Sequence, residues 1–223
     1  MTSNLVVLLH LCDSLFPIGS FAHSDGLEAA TSRNEIQTAD DLRAWMEVTL
    51  FENLRRVEGP ALRRAWGAMV QRRLDDLVML DDEVYALRPT STGRDSTRAM
   101  GRRLLKTWQR IRPNECIQTV LEHHASLTLP VAFGAVAAAA EITVGSAIEG
   151  FMYTRLASIV SAAMRLMAIG QHEGHGLLAE LLEYVPRVAA DVMNDDSPLR
   201  SFTPELDVMV MRQQYVASRL FKS

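Results

Sequence analysis

The chain has 223 residues, 48% apolar and 22% charged, with a net charge of −4. That length suits one domain with a sizeable core, and the composition excludes a disordered chain. The acidic balance argues against a general nucleic-acid binder, which needs surplus Lys and Arg.

Aromatic residues make up only 6%, and strong helix formers (Ala, Leu and Met) are plentiful. The helical period recurs along the chain and strand-like alternation does not, so the prediction is an all-α, single-domain bundle of about ten helices. The first is read over residues 5–13. Its Leu5-Val6-Val7-Leu8-Leu9 run has no basic residue ahead of it, and His10 and Asp13 soon interrupt it. That is too short and too polar for a secretory signal. The run from Leu11 to Glu28, with Pro17, Gly19-Ser20, His23 and Gly26, is read as an ordered break before a helix over 22–33. His23 is read as a half-buried histidine bonded to a nearby carboxylate or carbonyl; a group in a partner site, or a transient metal contact, is the alternative.

Thr38-Ala39-Asp40-Asp41 places a hydroxyl three residues before a carboxylate, the pattern of a capped helix start. Leu42, Trp45, Met46, Thr49, Leu50 and Leu54 continue as one buried stripe. Gly59-Pro60 is predicted to end that helix and start another, whose stripe runs from Ala61 to Leu74. Further helices are expected at 81–87, 95–111, 115–125, 130–144, 146–169, 172–184 and 186–193. Pro89–Gly93 reads as a turn-rich loop and 194–204 as a flexible stretch. The segment 94–112 carries six Arg and one Lys against Asp95 alone. Its cationic face is either solvated and balanced by Asp75, Asp76, Asp81, Asp82 and Glu83, or it docks on an acidic protein surface. Helices 130–144 and 146–169, rich in small residues and Met, read as core. The apolar run from Leu129 to Ala140 falls short of the ~20 residues a membrane span requires. Cys12 and Cys116 fit free thiols in a reducing cytoplasm. The last residues, Arg219-Leu220-Phe221-Lys222-Ser223, keep large apolar and cationic groups where chains usually fray.

Motifs for nucleotide or acyl chemistry are missing: there is no phosphate loop, no Gly-x-Gly-x-x-Gly unit and no Gly-x-Ser-x-Gly elbow. His172-Glu173-Gly174-His175 could present two histidines on one face, but the spacing is one residue short of the His-Glu-x-x-His zinc motif. Capping or surface histidines are the preferred reading. His123 and His124, adjacent on a helix, point about 100° apart.

The opening run Phe16-Pro17-Ile18-Gly19-Ser20-Phe21-Ala22-His23-Ser24-Asp25-Gly26-Leu27-Glu28 and the ending Ser218-Arg219-Leu220-Phe221-Lys222-Ser223 resemble those of the urease accessory protein F (UreF) family. Arg94-Asp95-Ser96-Thr97 with Gly101-Arg102-Arg103-Leu104-Leu105 is similar to its next block. So are His124 with Pro130-Val131-Ala132-Phe133-Gly134, Ser161-Ala162-Ala163-Met164-Arg165-Leu166 with Gly170-Gln171, and Pro204-Glu205-Leu206-Asp207-Val208. Each is weakly specific alone; their order along nearly the whole chain carries the resemblance. Val210-Met211-Arg212-Gln213-Gln214 departs from the family's Ser-Met-Arg-His-Glu, His175 stands where Gln is usual, and Asp25 where an aromatic residue is common.

The resemblance implies a non-catalytic, homodimeric, cytoplasmic helical protein with no cofactor and no metal ligands of its own. Such proteins bind the D/H-type and GTP-hydrolysing G-type accessory proteins and gate nickel delivery to apo-urease. The residues implied for partner contact are Arg212, Tyr215, Arg219, Leu220, Phe221 and Lys222 in a tail over 205–223. Pro17, Gly19, His23, Gly26, Glu28 and Arg102 carry the motif and interface. Removing 204–223 is expected to leave a folded dimer that no longer binds the D/H-type partner. Two alternatives stand beside this reading: a GTPase activator supplying Arg102, Arg165 or Arg219 to the G-type protein, and an all-α metalloenzyme using His23, Glu28, His172 and His175.

Overall fold

The computed structural model describes residues 4–124 and 126–222, which form helices and no strand. Ala125, at the expected end of one helix, lies outside the described residues, as do Met1–Ser3 and Ser223. The helices are α1 (Asn4–Leu11), α2 (Leu27–Ser32), α3 (Ala39–Val48), α4 (Gly59–Val70), α5 (Leu74–Ala86), α6 (Ser91–Ile111), α7 (Glu115–His123), α8 (Leu129–Ala139), α9 (Val144–Leu166), α10 (Gln171–Leu182), α11 (Val185–Asn194) and α12 (Pro204–Arg212). No helix among the described residues is long and apolar enough to cross a membrane.

The core is laid around α8, whose residues from Leu129 to Ala137 are all buried. It packs most extensively on α4 and then on α6, with α9 behind it. A helix apolar all round belongs in such a central position. Capping follows the sequence: Thr38 accepts from the Asp41 amide at 3.2 Å while the Asp41 carboxylate takes the Thr38 amide at 2.9 Å. The approach of α6 to the α7–α8 connection is set by Gly101, where a Cβ would lie 2.0 Å from the Leu127 carbonyl oxygen. Only backbone surrounds that position, so no side chain can yield. Gly101→Ala is therefore expected to cost about 2–3 kcal/mol, read as a lower urea midpoint at unchanged m-value. A midpoint within error of the parent would mean that the two segments separate freely.

Several boundaries differ from expectation: α5 begins at Leu74 and not at 81, so Leu74 opens α5 instead of closing the α4 stripe, and α6 begins at Ser91, inside the expected Pro89–Gly93 loop. Gly59-Pro60 does not break the chain. Thr49–Glu58 is π-helical and joins α3 to α4 in one continuous rod, with Gly59 itself helical at φ −62° and its amide bonded to the Leu54 carbonyl five residues back. A proline ring clashes with the carbonyl four residues before it in an α-helix, and the wider turns just upstream relieve that clash. The same widening lets Leu54, Val57 and Glu58 all face inward. The helix expected over 22–33 is also shorter. A 3₁₀ turn at Ser20–Ala22 is followed by an extended His23 and by Asp25 and Gly26 with positive φ of 49° and 89°, so α2 starts only at Leu27. Residues 195–203 have no regular structure, but Arg63 donates to the Asp195 carbonyl at 3.0 Å and Arg64 to the Ser197 carbonyl at 2.5 Å.

Candidate partner-binding site

The two ends of the chain form one site, centred on Glu28. This residue sits in the first turn of α2 and is 3% exposed. Its carboxylate accepts from Gln213 Nε2 at 2.5 Å, from the Leu220 amide at 2.5 Å and from the Phe221 amide at 3.2 Å. Gln213 completes the clamp from its other end, its Oε1 taking the Ala29 amide at 3.1 Å. One neutral amide thus donates and accepts at a buried position, which explains why Gln suits this place. The Lys222 amide donates to the Ala22 carbonyl at 2.7 Å, extending the closure to the 3₁₀ turn.

Phe221, named among the residues for partner contact, is turned into the fold and 3% exposed. Arg165 of α9 lies 4.4 Å over its ring and donates to the Phe21 carbonyl at 3.0 Å. Aromatic burial under a guanidinium stabilises both groups, so Phe221 serves as the root of the tail. What the tail presents outward is Tyr215 and Leu220, 79% and 61% exposed, with the exposed Arg219 and Lys222. Arg212 is engaged with Glu35 at 3.2 Å. Pro17 and the neighbouring Leu15 and Phe21 are exposed on the opening loop, whose Ile18 carbonyl accepts from Arg103 at 3.3 Å beside the left-handed Gly19. Arg102 stands apart from all of these, solvent-facing on α6.

Beneath the opening loop lies a buried charge cluster that sequence reading missed. Arg155 of α9, only 10% exposed at its side chain, donates to Glu58 at 3.1 Å and also pairs with Asp25. Glu58, 1% exposed, takes a second guanidinium from Arg88 at 2.5 Å. Burial alone would raise the Asp25 carboxyl, but the Arg155 and Arg88 charges outweigh it and hold it down at about 2. Burial likewise opposes charge on Arg155, and Glu58 and Asp25 more than restore it. His23, next to this cluster, has its pKa lowered chiefly by burial, with Asp25 opposing and Arg103, Arg155 and Lys222 assisting. The cluster borders a cavity of about 70 Å³ roofed by Thr203, Leu206, Asp207 and Val210 of the tail segment. Asp25, the one acidic residue between Phe16 and Leu27 in the opening run, is the one hint that the sequence carries.

No metal centre forms from His23, Glu28, His172 and His175 among the described residues, and both His172 and His175 are exposed. Asp81, Asp82 and His124 do bring ligating atoms within 4.8 Å of one another. Arg98 already bridges both carboxylates at 2.8 Å, so a cation is in place there. Of the arginines weighed as GTPase fingers, Arg165 is engaged as above, while Arg102 and Arg219 have no ion pair or hydrogen bond among the described residues.

The class these features define is an all-α domain whose ends are locked together over a buried ion cluster. The family model described as UreF matches residues 36–182. Proteins described as "Urease accessory protein UreF" align along almost the entire chain. That of Actinobacillus pleuropneumoniae serotype 5b (strain L20) is 27% identical, covering 98% of this chain and 99% of its own length. That of Haemophilus influenzae (strain ATCC 51907 / DSM 11121 / KW20 / Rd) is 26% identical over 99% and 96%, and that of Bacillus sp. (strain TB-90) 29% identical over 99% and 100%. The chain belongs to the UreF family of urease accessory proteins, which places it in urease maturation.

Proposed function

We propose that this protein is a non-catalytic, cytoplasmic maturation factor that bridges the D/H-type and G-type urease accessory proteins and gates nickel delivery to apo-urease. The supporting observation is the tail: its root is fixed by Glu28, Gln213 and Phe221, and its outer face offers Tyr215, Leu220, Arg219 and Lys222 together. Large apolar groups flanked by cations have the composition of an interface hot spot. The apolar groove of about 760 Å³ between α1 and α9, lined by Leu5, Leu9, Phe21 and Tyr153, is the surface this reading gives to a second copy of the chain.

Deleting 204–223 is a poor test, since it uncovers Glu28 and removes Phe221 and Met209 from the core. The double variant Tyr215→Ala/Leu220→Ala changes only exposed groups. It is expected to weaken binding of the purified D/H-type protein about 30-fold, corresponding to ~2 kcal/mol. Light scattering should still report the parent's dimer mass. Parent-like affinity in titration calorimetry would remove the tail from the partner interface.

A further inference from the structure

Helix α6 carries six of the chain's 23 Lys and Arg residues, and the structure divides them into two groups. Arg94 donates to the Arg88 carbonyl at 2.8 Å, Arg98 pairs with Asp81 and Asp82 over the Tyr85 ring, and Arg103 holds the Ile18 carbonyl. These are occupied by the fold. Arg102, Lys106 and Arg110 are not: all three are exposed and have no ion pair or hydrogen bond among the described residues. They stand at four-residue steps, so they form one stripe about 12 Å long with cations about 6 Å apart. That spacing is inside the screening length of physiological salt, so their fields add. Only Arg110, in the last turn, gains from the helix dipole. Arg102 and Lys106 repel each other without compensation from the fold.

Of the five acidic residues expected to balance α6, three are engaged by cations outside the stripe, and the exposed Asp75 and Glu83 have no ion pair among the described residues. Asp81 and Asp82 are consumed by Arg98, and Asp76 pairs with Arg73 at 3.0 Å. Exposed Asp95 on α6 and exposed Glu115 and Glu122 on α7 lie near the stripe in sequence. The chain's net charge of −4 opposes a general polyanion such as nucleic acid, so an acidic protein surface is the better match for so short a stripe. Exposed Ile111, 48% accessible, adds an apolar contact at the stripe's end.

We infer that Arg102, Lys106 and Arg110 form a docking stripe for the acidic helical face of a protein partner, with carboxylates at matching four-residue steps. This rests on the maturation-scaffold reading above and adds a second contact, separate from the tail. Charge complementarity of this kind sets association rate and salt dependence.

The test is a charge-reversed variant, Arg102→Glu/Lys106→Glu/Arg110→Glu, and a neutral one, Arg102→Gln/Lys106→Gln/Arg110→Gln. Each is checked for unchanged helicity by circular dichroism and titrated with the purified D/H-type protein, G-type protein and apo-urease. For one of these the reversed variant is expected to bind at least tenfold more weakly at 0.15 M salt, the neutral variant to fall between, and both to show a shallower salt dependence than the parent. If the parent binds and both variants match it on every partner, the stripe is no docking face, while the scaffold reading stands. If the parent binds none of the three proteins, the scaffold reading itself fails and takes the inference with it. Parent binding to heparin or to phosphatidylserine vesicles that the reversed variant loses, with protein binding intact, would overturn the inference in favour of a polyanion.

Discussion

Replacing Arg155 with Met is expected to lower the free energy of unfolding by about 3–5 kcal/mol, the usual cost of breaking a buried ion pair from one side. The methionine keeps most of the apolar stem and discards the charge. Glu58, 1% exposed, would then keep Arg88 as its one cation beside a long hydrogen bond from Asn53 at 3.5 Å, and Asp25 would lose its ion-pair partner. A urea titration should show a lower midpoint with the slope preserved. A loss below about 1 kcal/mol would mean that other groups or water take over both carboxylates. The cluster also fixes an acid limit. With its pKa held at about 2, Asp25 contributes its full share of stability above the ordinary carboxylate range, and that share disappears as pH falls toward 2. In the Met variant this part of the acid-unfolding profile should flatten.

The second large effect is expected at Glu28. Glu28→Ala removes the common acceptor of Gln213, Leu220 and Phe221, and buried donors left without partners cost about 1–3 kcal/mol each. The tail can escape that penalty by peeling away into water, so the loss is capped at the energy of docking the tail. The measurable consequence is faster tryptic cleavage after Arg212 than in the parent, with the helical signal of the remainder retained. Glu28→Gln keeps one acceptor oxygen but turns its other terminus into a donor facing donors, so its rate should fall between the two. Equal cleavage rates in all three proteins would show that Glu28 does not hold the tail.

Periodicity carried most of the fold. Leu42, Trp45, Met46, Leu50 and Leu54 lie on the predicted buried stripe, and all are buried. The Thr38 capping box also forms as the spacing implied. Local signals failed where a distant contact or an unusual helix geometry decided the outcome. Gly59-Pro60 reads as a break in any α-helical register, and only the π-helical stretch before it makes the pair tolerable. The partners of Asp25 and Glu28 lie more than a hundred residues away along the chain. Nothing in the spacing of Phe221 distinguishes a root from an exposed anchor; the difference comes from Arg165, which the tail meets only after folding. The division of the α6 cations into occupied and idle was likewise invisible, because it depends on which acids α5 turns toward Arg98.

The uninterrupted helix from Ala39 to Val70 also has a mechanical consequence. At about 1.5 Å per residue it is a spar more than 40 Å long without a hinge. Successive rungs lash the later half of the chain to it: Arg43 to Glu180, Arg55 to Asp191, Arg63 to Asp196, and the Trp66 indole to the Ile142 carbonyl. Two jointed helices would let those rungs shear independently. A single stiff beam makes α10 and α11 ride together, so a push delivered at one end of the beam arrives at the other as displacement instead of being absorbed at a knee.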